Sequence, residues 1–303
     1  MLPAVTIVVL CYNHIADTVK CLESLHRLVY PSYETILVDN GSTDGTAAIV
    51  RVQFPQVHVI QNGRNLGYAE GNNVGLRYAL QHGSDHVLAL NNDTVLDPYC
   101  LQYLLADMEA HSDAGAAAPK SLYMDSPELV YSAGGRIRAN GSLAHVGGGR
   151  PDGPEVGRSQ DTEWLTGCAI LFRAAALRRV GLFEPRFFLL FEDADWSLRA
   201  RRAGYRLRFV ADARLRHKVS ASFGKTWSPQ YLYYYTRNGL LWLERNFSLM
   251  RKPRLYAVHL RNVRSEASAQ SLNSADALLR QKAVWRGTID YVLRRFGERG
   301  YGW

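Results

Sequence analysis

The chain has 303 residues, 47% hydrophobic and 21% charged, which supports a sizeable buried core and excludes a disordered polymer. Its formal charge of +8 favours acidic partners: nucleic acid, anionic headgroups or phosphorylated small molecules. No stretch reaches the length of a membrane-spanning helix, and the apolar run near the N-terminus, broken by Thr6, does not read as a signal peptide.

The four cysteines Cys11, Cys21, Cys100 and Cys168 show no C-x-x-C pair and no metal-type spacing, which predicts a reduced, cytoplasmic setting. The N-x-[ST] triplets at Asn40, Asn92, Asn140 and Asn246 are then coincidental.

In chain order, "AVTIVVL" reads as a strand, and Ile15, Val19, Leu22 and Leu25 follow at helical spacing. "ETILVDNGSTDGTAAIVRV" repeats the unit: a strand over 35–38, a turn, and a helix capped near Ser42 or Asp44. "VHVIQNGRNLGYAEGNNVGLRYAL" and "DHVLALNNDTVLDPYCLQYLLADM" supply a third and a fourth unit, with Asp97 capping the last helix. This alternation predicts an α/β fold around a mainly parallel, doubly wound sheet. Ligands of such sheets bind at the carboxyl ends of the strands, where "CYN", "DNGSTDG", "NGRNLG" and "NNDTVLD" all fall.

After Ala116 the pattern changes. "YSAGGRIRANGSLAHVGGGRPDGPEVGRSQ" predicts a hairpin and a mobile loop, and "WLTGCAILFR" a strand. "FFLLFEDADWSLRARRAGYRLRFV" joins an apolar run to a helix with an acidic start and a basic end. From Ser228, "PQYLYYYTRNGLLWLERNF" and "DALLRQKAVWRGTIDYVLRRFG" predict a helical appendage. The expected division is a catalytic unit over 1–227, with halves meeting near 115, and the appendage over 228–303.

Several of these segments carry chemistry. Asp93, at a strand end, suits a hard divalent cation whose shell diphosphate oxygens complete, and Asn91 and Asn92 offer amide groups beside it. Asn and Asp also punctuate turns, so both readings stand on these residues alone. Asp39 can accept the imide N–H of uracil or thymine. Gly67, Gly71 and Gly75 suit close helix packing or backbone near a phosphate; G-x-G-x-x-G is absent. Asp195 and Arg199, at i and i+4, predict a helix ion pair, whereas Asp193 is offset from that stripe and can point into a cleft as a general base. A helix start is its more ordinary role. A lone histidine such as His217 is more often structural, and Arg214, Arg216, Lys218 and Lys225 form a solvated basic face by default.

Taken together and in this order, "VTIVVLCYN", "ILVDNGSTDGT", "NLGYAEGNNVG", "LALNNDTVLD", "WLTGCAILFR", "GLFEPRFFLLFEDADWSLRARRAGYRL" and "RHKVSAS" resemble the family 2 glycosyltransferases, inverting enzymes of the GT-A fold. The "YYYTRN" segment is similar to the rhamnosyltransferase-type subgroup. Where the family shows D-x-D, this chain has Asn91-Asn92-Asp93.

The resemblance implies a Mg²⁺ or Mn²⁺ ion at Asp93 and His217, and Asp193 as catalytic base. It implies a dTDP- or UDP-sugar along Cys11, Tyr12, Asn13, Asp39, Asn40, Asn65, Gly67, Asn72, Asn91 and Asn92. Trp164, Thr166, Gly167, Glu192 and Arg237 fall on the acceptor side. The implied reaction carries a sugar, L-rhamnose first, to a hydroxyl of a cell-surface polysaccharide or lipid-linked saccharide. Peripheral association with the inner face of the plasma membrane and a homodimer are compatible with it. A nucleotidyltransferase, which shares sheet and metal use, lacks here a Gly-rich triphosphate loop, and a non-catalytic nucleotide-sugar sensor or scaffold has no need of a base. No nucleic-acid-binding module is recognisable.

Overall fold

A computed structural model describes residues 2–219, 227–269 and 273–299. Strands and helices alternate from the start: β1 (Val5–Cys11), α1 (Ile15–Leu25), β2 (Tyr33–Asp39), α2 (Thr46–Gln53), β3 (His58–Gln61), α3 (Gly67–Gln81), β4 (His86–Asn91), β5 (Thr94–Leu96) and α4 (Cys100–Ala110). There follow β6 (Ala114–Tyr123), β7 (Val130–Ser132), β8 (Gly135–Ile137), β9 (Leu143–His145), β10 (Gln160–Asp161), β11 (Ala169–Arg173), α5 (Ala174–Val180), α6 (Glu192–Arg202) and β12 (Arg206–His217). Three helices come last: α7 (Pro229–Asn246), α8 (Lys252–Ala269) and α9 (Ser274–Val292).

The main sheet runs β10-β12-β6-β11-β4-β1-β2-β3, with β5 added to β12 and β7 to β6. Every residue of β1 is buried, because helices cover both of its faces. Val5, Ile7 and Val9 pack with α1 and α4, and the alternate residues Val8 and Leu10 with α3, α5 and α6. Two apolar layers thus hold β1, β2 and β4 in parallel register, and their ends Cys11, Asp39 and Asn91 emerge along one edge.

The sheet is parallel through β4-β1-β2-β3 and between β12 and β6, as expected, and β11 enters antiparallel between β4 and β6. A short apolar run carries no sign of its direction, so the sequence left this open. Of the two expected caps, the one near Asp44 is kept and that of Asp97 differs. Helix α2 begins behind Gly45 with φ 83°, and Asp44 reaches both Thr46 and the backbone of Ile15, which ties two loops together. Helix α4 starts behind Tyr99 through the backbone bond from Cys100 to Asp97 rather than through the Asp97 carboxylate.

The expected C-terminal helices are present and pack against Trp164 and the turn before α6. Trp164, Phe187 and Phe191 pack with Leu241, Trp242 and Leu255, while Phe188 packs with Tyr233 and Tyr234. Asp195 joins the two parts electrostatically: fully buried, it takes Arg199 from its own helix at 2.9 Å, as expected, and Arg245 from α7 at 2.9 Å.

Helix α3 lies so close to the sheet that a methyl group on Gly75 would collide with Val8. Gly75→Ala is therefore expected to cost about 1–3 kcal/mol of stability, read as a lower denaturant midpoint. An unchanged midpoint would mean that α3 can slide without loss.

Candidate active site

The carboxyl edge of β1, β2 and β4 supplies one wall of a crevice. Asn13, with φ 59°, accepts from the Thr43 backbone while the Ser42 hydroxyl accepts from its own N–H, so the loops after β1 and β2 brace each other. Tyr12 stands exposed beside them and Cys11 is buried. Asp39 is buried at the end of β2, accepting from the Ser42 N–H at 2.9 Å and from Gln61 at 3.2 Å.

Of the expected donor contacts, Asn40 is taken up by the frame of its own loop. The Asn40 amide donates to Asn65 and to the Gly67 carbonyl and accepts from Asn62 and the Leu66 N–H, so its hydrogen-bonding capacity is spent inside the loop. Asn65 in turn accepts from the Gly67 N–H. Asn92 donates to Thr18 of α1 at 2.9 Å and to the Asn13 carbonyl at 3.4 Å. Asn72 is buried and donates to the Tyr68 carbonyl, while its amide oxygen has no hydrogen-bond partner.

Asp93 and His217 meet where β12 pairs with β5. Nε2 of His217 stands 3.2 Å from Oδ1 of Asp93, with both side chains buried. The approach does not have hydrogen-bond geometry, and Oδ1 of Asp93 and Nδ1 of His217 lack hydrogen-bond partners. Burial pushes the Asp93 carboxyl up, but the His217 imidazole, a backbone N–H and the Asn91 amide outweigh it and hold it below the usual carboxylate range. A buried, ionised carboxylate oxygen without a partner, next to an imidazole, fits a divalent cation. Among the described residues no group of three or more His, Cys, Asp or Glu gathers for a metal, so further ligands would come from a bound molecule or water.

Opposite lies the first turn of α6. Oδ2 of Asp193 accepts the Gly167 N–H at 2.8 Å and Oδ1 the Ala194 N–H at 2.7 Å, which orients the carboxylate while leaving it partly exposed. Burial raises its pKa to about 6, with three backbone N–H groups opposing the rise. Its neighbour Glu192 is buried, with Oε2 unpartnered, and burial together with the Asp193 charge pushes its carboxyl well above the usual carboxylate range.

The segment 165–168 stitches the crevice together. Leu165 donates to Ser197 of α6, Gly167 to Asp193, and the Cys168 carbonyl accepts from Asn91 of β4. The Tyr68 hydroxyl, from α3, donates to the Gly167 carbonyl. That hydroxyl is pushed well up by burial first and then by Glu192, Asp193, Cys168 and Asp93, so both walls bear on it. A side chain at Gly167 would meet the Tyr68 hydroxyl at 2.8 Å.

Thr166 helps shape this segment, whereas Trp164 is buried and donates to the Arg136 carbonyl, backing the crevice rather than lining it. In front of Trp164, the rings of His145 and Tyr131 lie 4.7 Å apart, and Tyr131 stands edge-on to His217 at 5.1 Å. Burial, then the His217 charge, lowers His145 to about 4, so it is neutral at pH 7.

Tyr68, Tyr131 and His145 were missed by sequence reasoning. Tyr68 sits inside "NLGYAEGNN", where the glycines drew the argument, and nothing local brings Tyr131 or His145 to the crevice. Of the basic residues, Lys218 pairs with Asp17 and Arg214 with Asp152, Arg216 is exposed, and Lys225, like 220–222 of "RHKVSAS", lies outside the described residues.

Arg237 is corrected by the structure: it is fully buried in α7 rather than on the acceptor side. Its guanidinium donates to Asn238 and to the Gly297 carbonyl and lies over Tyr234 at 5.0 Å. What it supports is the turn before α6. Phe188, Leu190 and Phe191 hold φ of 59°, 73° and 76°, a region that costs bulky residues on the order of 1–3 kcal/mol each. The Asn238 amide donates to the carbonyls of Phe187 at 2.5 Å, Leu189 at 2.6 Å and Leu190 at 3.4 Å. One fully buried side chain thus fixes the turn that aims Asp193.

Residues 6–140 match the family model for Glycosyl transferase family 2, and residues 86–265 that for Glycosyl transferase family group 2. The N-acetylglucosaminyl-diphospho-decaprenol L-rhamnosyltransferase of Mycobacterium tuberculosis is 28% identical over 248 residues, 74% of this chain and 79% of that protein. The dTDP-rhamnosyl transferase RfbF of Shigella flexneri is 26% identical over 239 residues, 74% of this chain and 77% of its own. The mannosyltransferase PcManGT from Pyrobaculum calidifontis, solved with GDP-Man and Mn²⁺, superposes with a TM-score of 0.61 at 19% identity over 97% of this chain and 88% of that one. The fold is therefore the GT-A fold that the motifs resembled.

Asn238→Ala removes the buried amide that three carbonyls of this turn share, so a loss on the order of 2 kcal/mol or more is expected. Urea unfolding reads it, and an unshifted midpoint would show that the turn holds without Asn238.

Proposed function

The chain belongs to the family 2 glycosyltransferases, and from that premise we propose that it inverts the anomeric centre of a nucleoside-diphosphate sugar, L-rhamnose from dTDP-rhamnose first, onto a hydroxyl of a lipid-linked or cell-surface saccharide. The observation that carries the mechanism is Asp193: a partly exposed carboxylate, oriented by two backbone N–H groups, with a pKa of about 6. The rhamnosyltransferases among the relatives support the sugar, and the decaprenol in one relative's name supports a lipid-linked acceptor.

In this reading Asp39 takes the imide N–H of the base, and the braced loops after β1 and β2 position the nucleoside against backbone. Asp93 and His217 hold Mg²⁺ or Mn²⁺, which when bound neutralises charge on the donor diphosphate. Asp193 accepts the proton of the acceptor hydroxyl as that oxygen attacks C1 from the face opposite the leaving diphosphate. Tyr131, His145 and the backbone at Thr166–Gly167 form the acceptor wall.

Asp193→Asn should lower kcat by on the order of a hundredfold or more while donor affinity stays within a factor of two or so. In the native enzyme the base must be ionised, so activity falls as pH drops below about 6 and levels above it. Full turnover in the variant, or no acidic limb near that pH, would remove Asp193 from the role. Donor binding without any turnover in the native protein would instead favour the sensor reading.

Donor choice is read by thermal shift against a panel of nucleotide sugars with and without Mn²⁺ or Mg²⁺. The expectation is a metal-dependent rise with dTDP-rhamnose that Asp93→Ala abolishes. A rise that the variant keeps would place the ion elsewhere.

A further inference from the structure

Helix α9 is apolar on two opposite sides. One side, with Ala283, Val284 and Gly287, is buried, and Gly287 lies so close to α7 that a methyl group there would meet the Tyr233 carbonyl at 2.6 Å. The other side shows Leu278, Trp285, Ile289 and Val292, which recur at helical spacing with relative exposures of 57%, 54%, 50% and 67%. Leu293 extends this stripe, and Leu279 stands exposed at its edge. Scattered exposed leucines need no explanation, but four turns of apolar side chains facing outward do.

The charges of α9 within and beside the stripe are basic. Lys282 stands within it and Arg286 at its edge, while Arg264 of α8 lies over the Trp285 ring at 4.5 Å. At its end Arg294 is paired with Glu244 of α7 at 2.6 Å and Arg295 lies 3.9 Å from Asp290. The two carboxylates of α9 face elsewhere: Asp276 pairs with Arg280 at 2.7 Å, and Asp290 is buried against Arg299. A two-fold pairing of this face with its own copy would set Lys282 and Arg286 against their copies, with both α9 carboxylates turned to other partners. A lipid surface meets both needs, because acyl chains receive the apolar row while headgroup phosphates receive the Lys and Arg ends. Trp285 is the residue type favoured at that boundary.

We propose that the outer face of α9 lies on a bilayer surface bearing anionic headgroups. The inference extends the reading of a lipid-linked acceptor, yet it is tested without acceptor or turnover, so either can fail alone. Among the described residues no helix is long and apolar enough to cross a membrane, so the contact is one of lying on the surface.

The test is co-sedimentation of the full chain with phosphatidylcholine vesicles and with vesicles of equimolar phosphatidylcholine and phosphatidylglycerol. The expected result is binding to the mixed vesicles, weakened by salt. A Trp285→Ser, Ile289→Ser double variant should bind at least about tenfold less, and Lys282→Glu should lose the preference for the anionic lipid. Both variants should keep native circular dichroism and donor binding, since neither site is in the core or the crevice. Equal sedimentation of native and variant chains would overturn the proposal. So would absence of binding by the native chain, or a dimer in velocity sedimentation that the double variant breaks, which would make the stripe a self-interface.

Discussion

The structure depends most on the strained turn over 187–191 and on the side chain that holds it. Three bulky residues there occupy backbone conformations that sterics disfavour, and the buried Asn238 amide collects the carbonyls that result. The turn also reaches the other wall: the Phe188 carbonyl accepts the Ala69 N–H, and Gly67 leaves room for the Phe188 ring. The N-terminus of α3, the N-terminus of α6 and the middle of α7 therefore meet at one point. The C-terminal helices are in this sense a support of the crevice and not an addition to it.

That arrangement explains what could be read from the residues alone. The β-α alternation up to α4 is local, carried by β-branched runs and 3.6-residue spacing, and it survives intact. The strand-end loops follow from it, since a parallel sheet presents its carboxyl ends along one edge. Direction and pairing are not local, so the antiparallel insertion of β11 was beyond reach. Polar residues in loops posed the harder problem. Asn40 looks like a ligand by type, but buried loop backbone must itself be hydrogen-bonded, and this amide is consumed by that need. Arg237 follows the same logic: a cation amid tyrosines suggests a site, yet it serves the strained turn beside it. Tyr131 and His145, on short strands in a Gly-rich stretch, reach the crevice only through tertiary packing.

The two carboxylates that remain are separated by environment. Asp93 is held low by an imidazole and an amide, Asp193 is pushed up by burial, and Glu192 is pushed further still. Groups of one chemical type thereby become suited to different tasks: an ionised oxygen suits a cation, and a carboxylate that titrates near neutrality suits a proton. In the proposed mechanism these are the tasks required on either side of the reacting carbon. Tyr68, which feels both carboxylates, marks how near the two environments come to each other.

The same reasoning bears on the amides that stand where the family has D-x-D. A carboxylate at 91 would repel Asp93 and oppose its ionisation, whereas the Asn91 amide beside it lowers its pKa and favours the charged form. The gain in local stability is matched by a loss of fixed negative charge for a cation. Asp93 and His217 offer two protein ligands where a hard divalent ion takes six or more, so the diphosphate would supply much of the shell. Metal and donor would then each bind weakly alone and well together, a coupling that linkage makes reciprocal. Such a site fills only when the sugar nucleotide is present, which ties assembly of the charged crevice to arrival of the substrate that needs it.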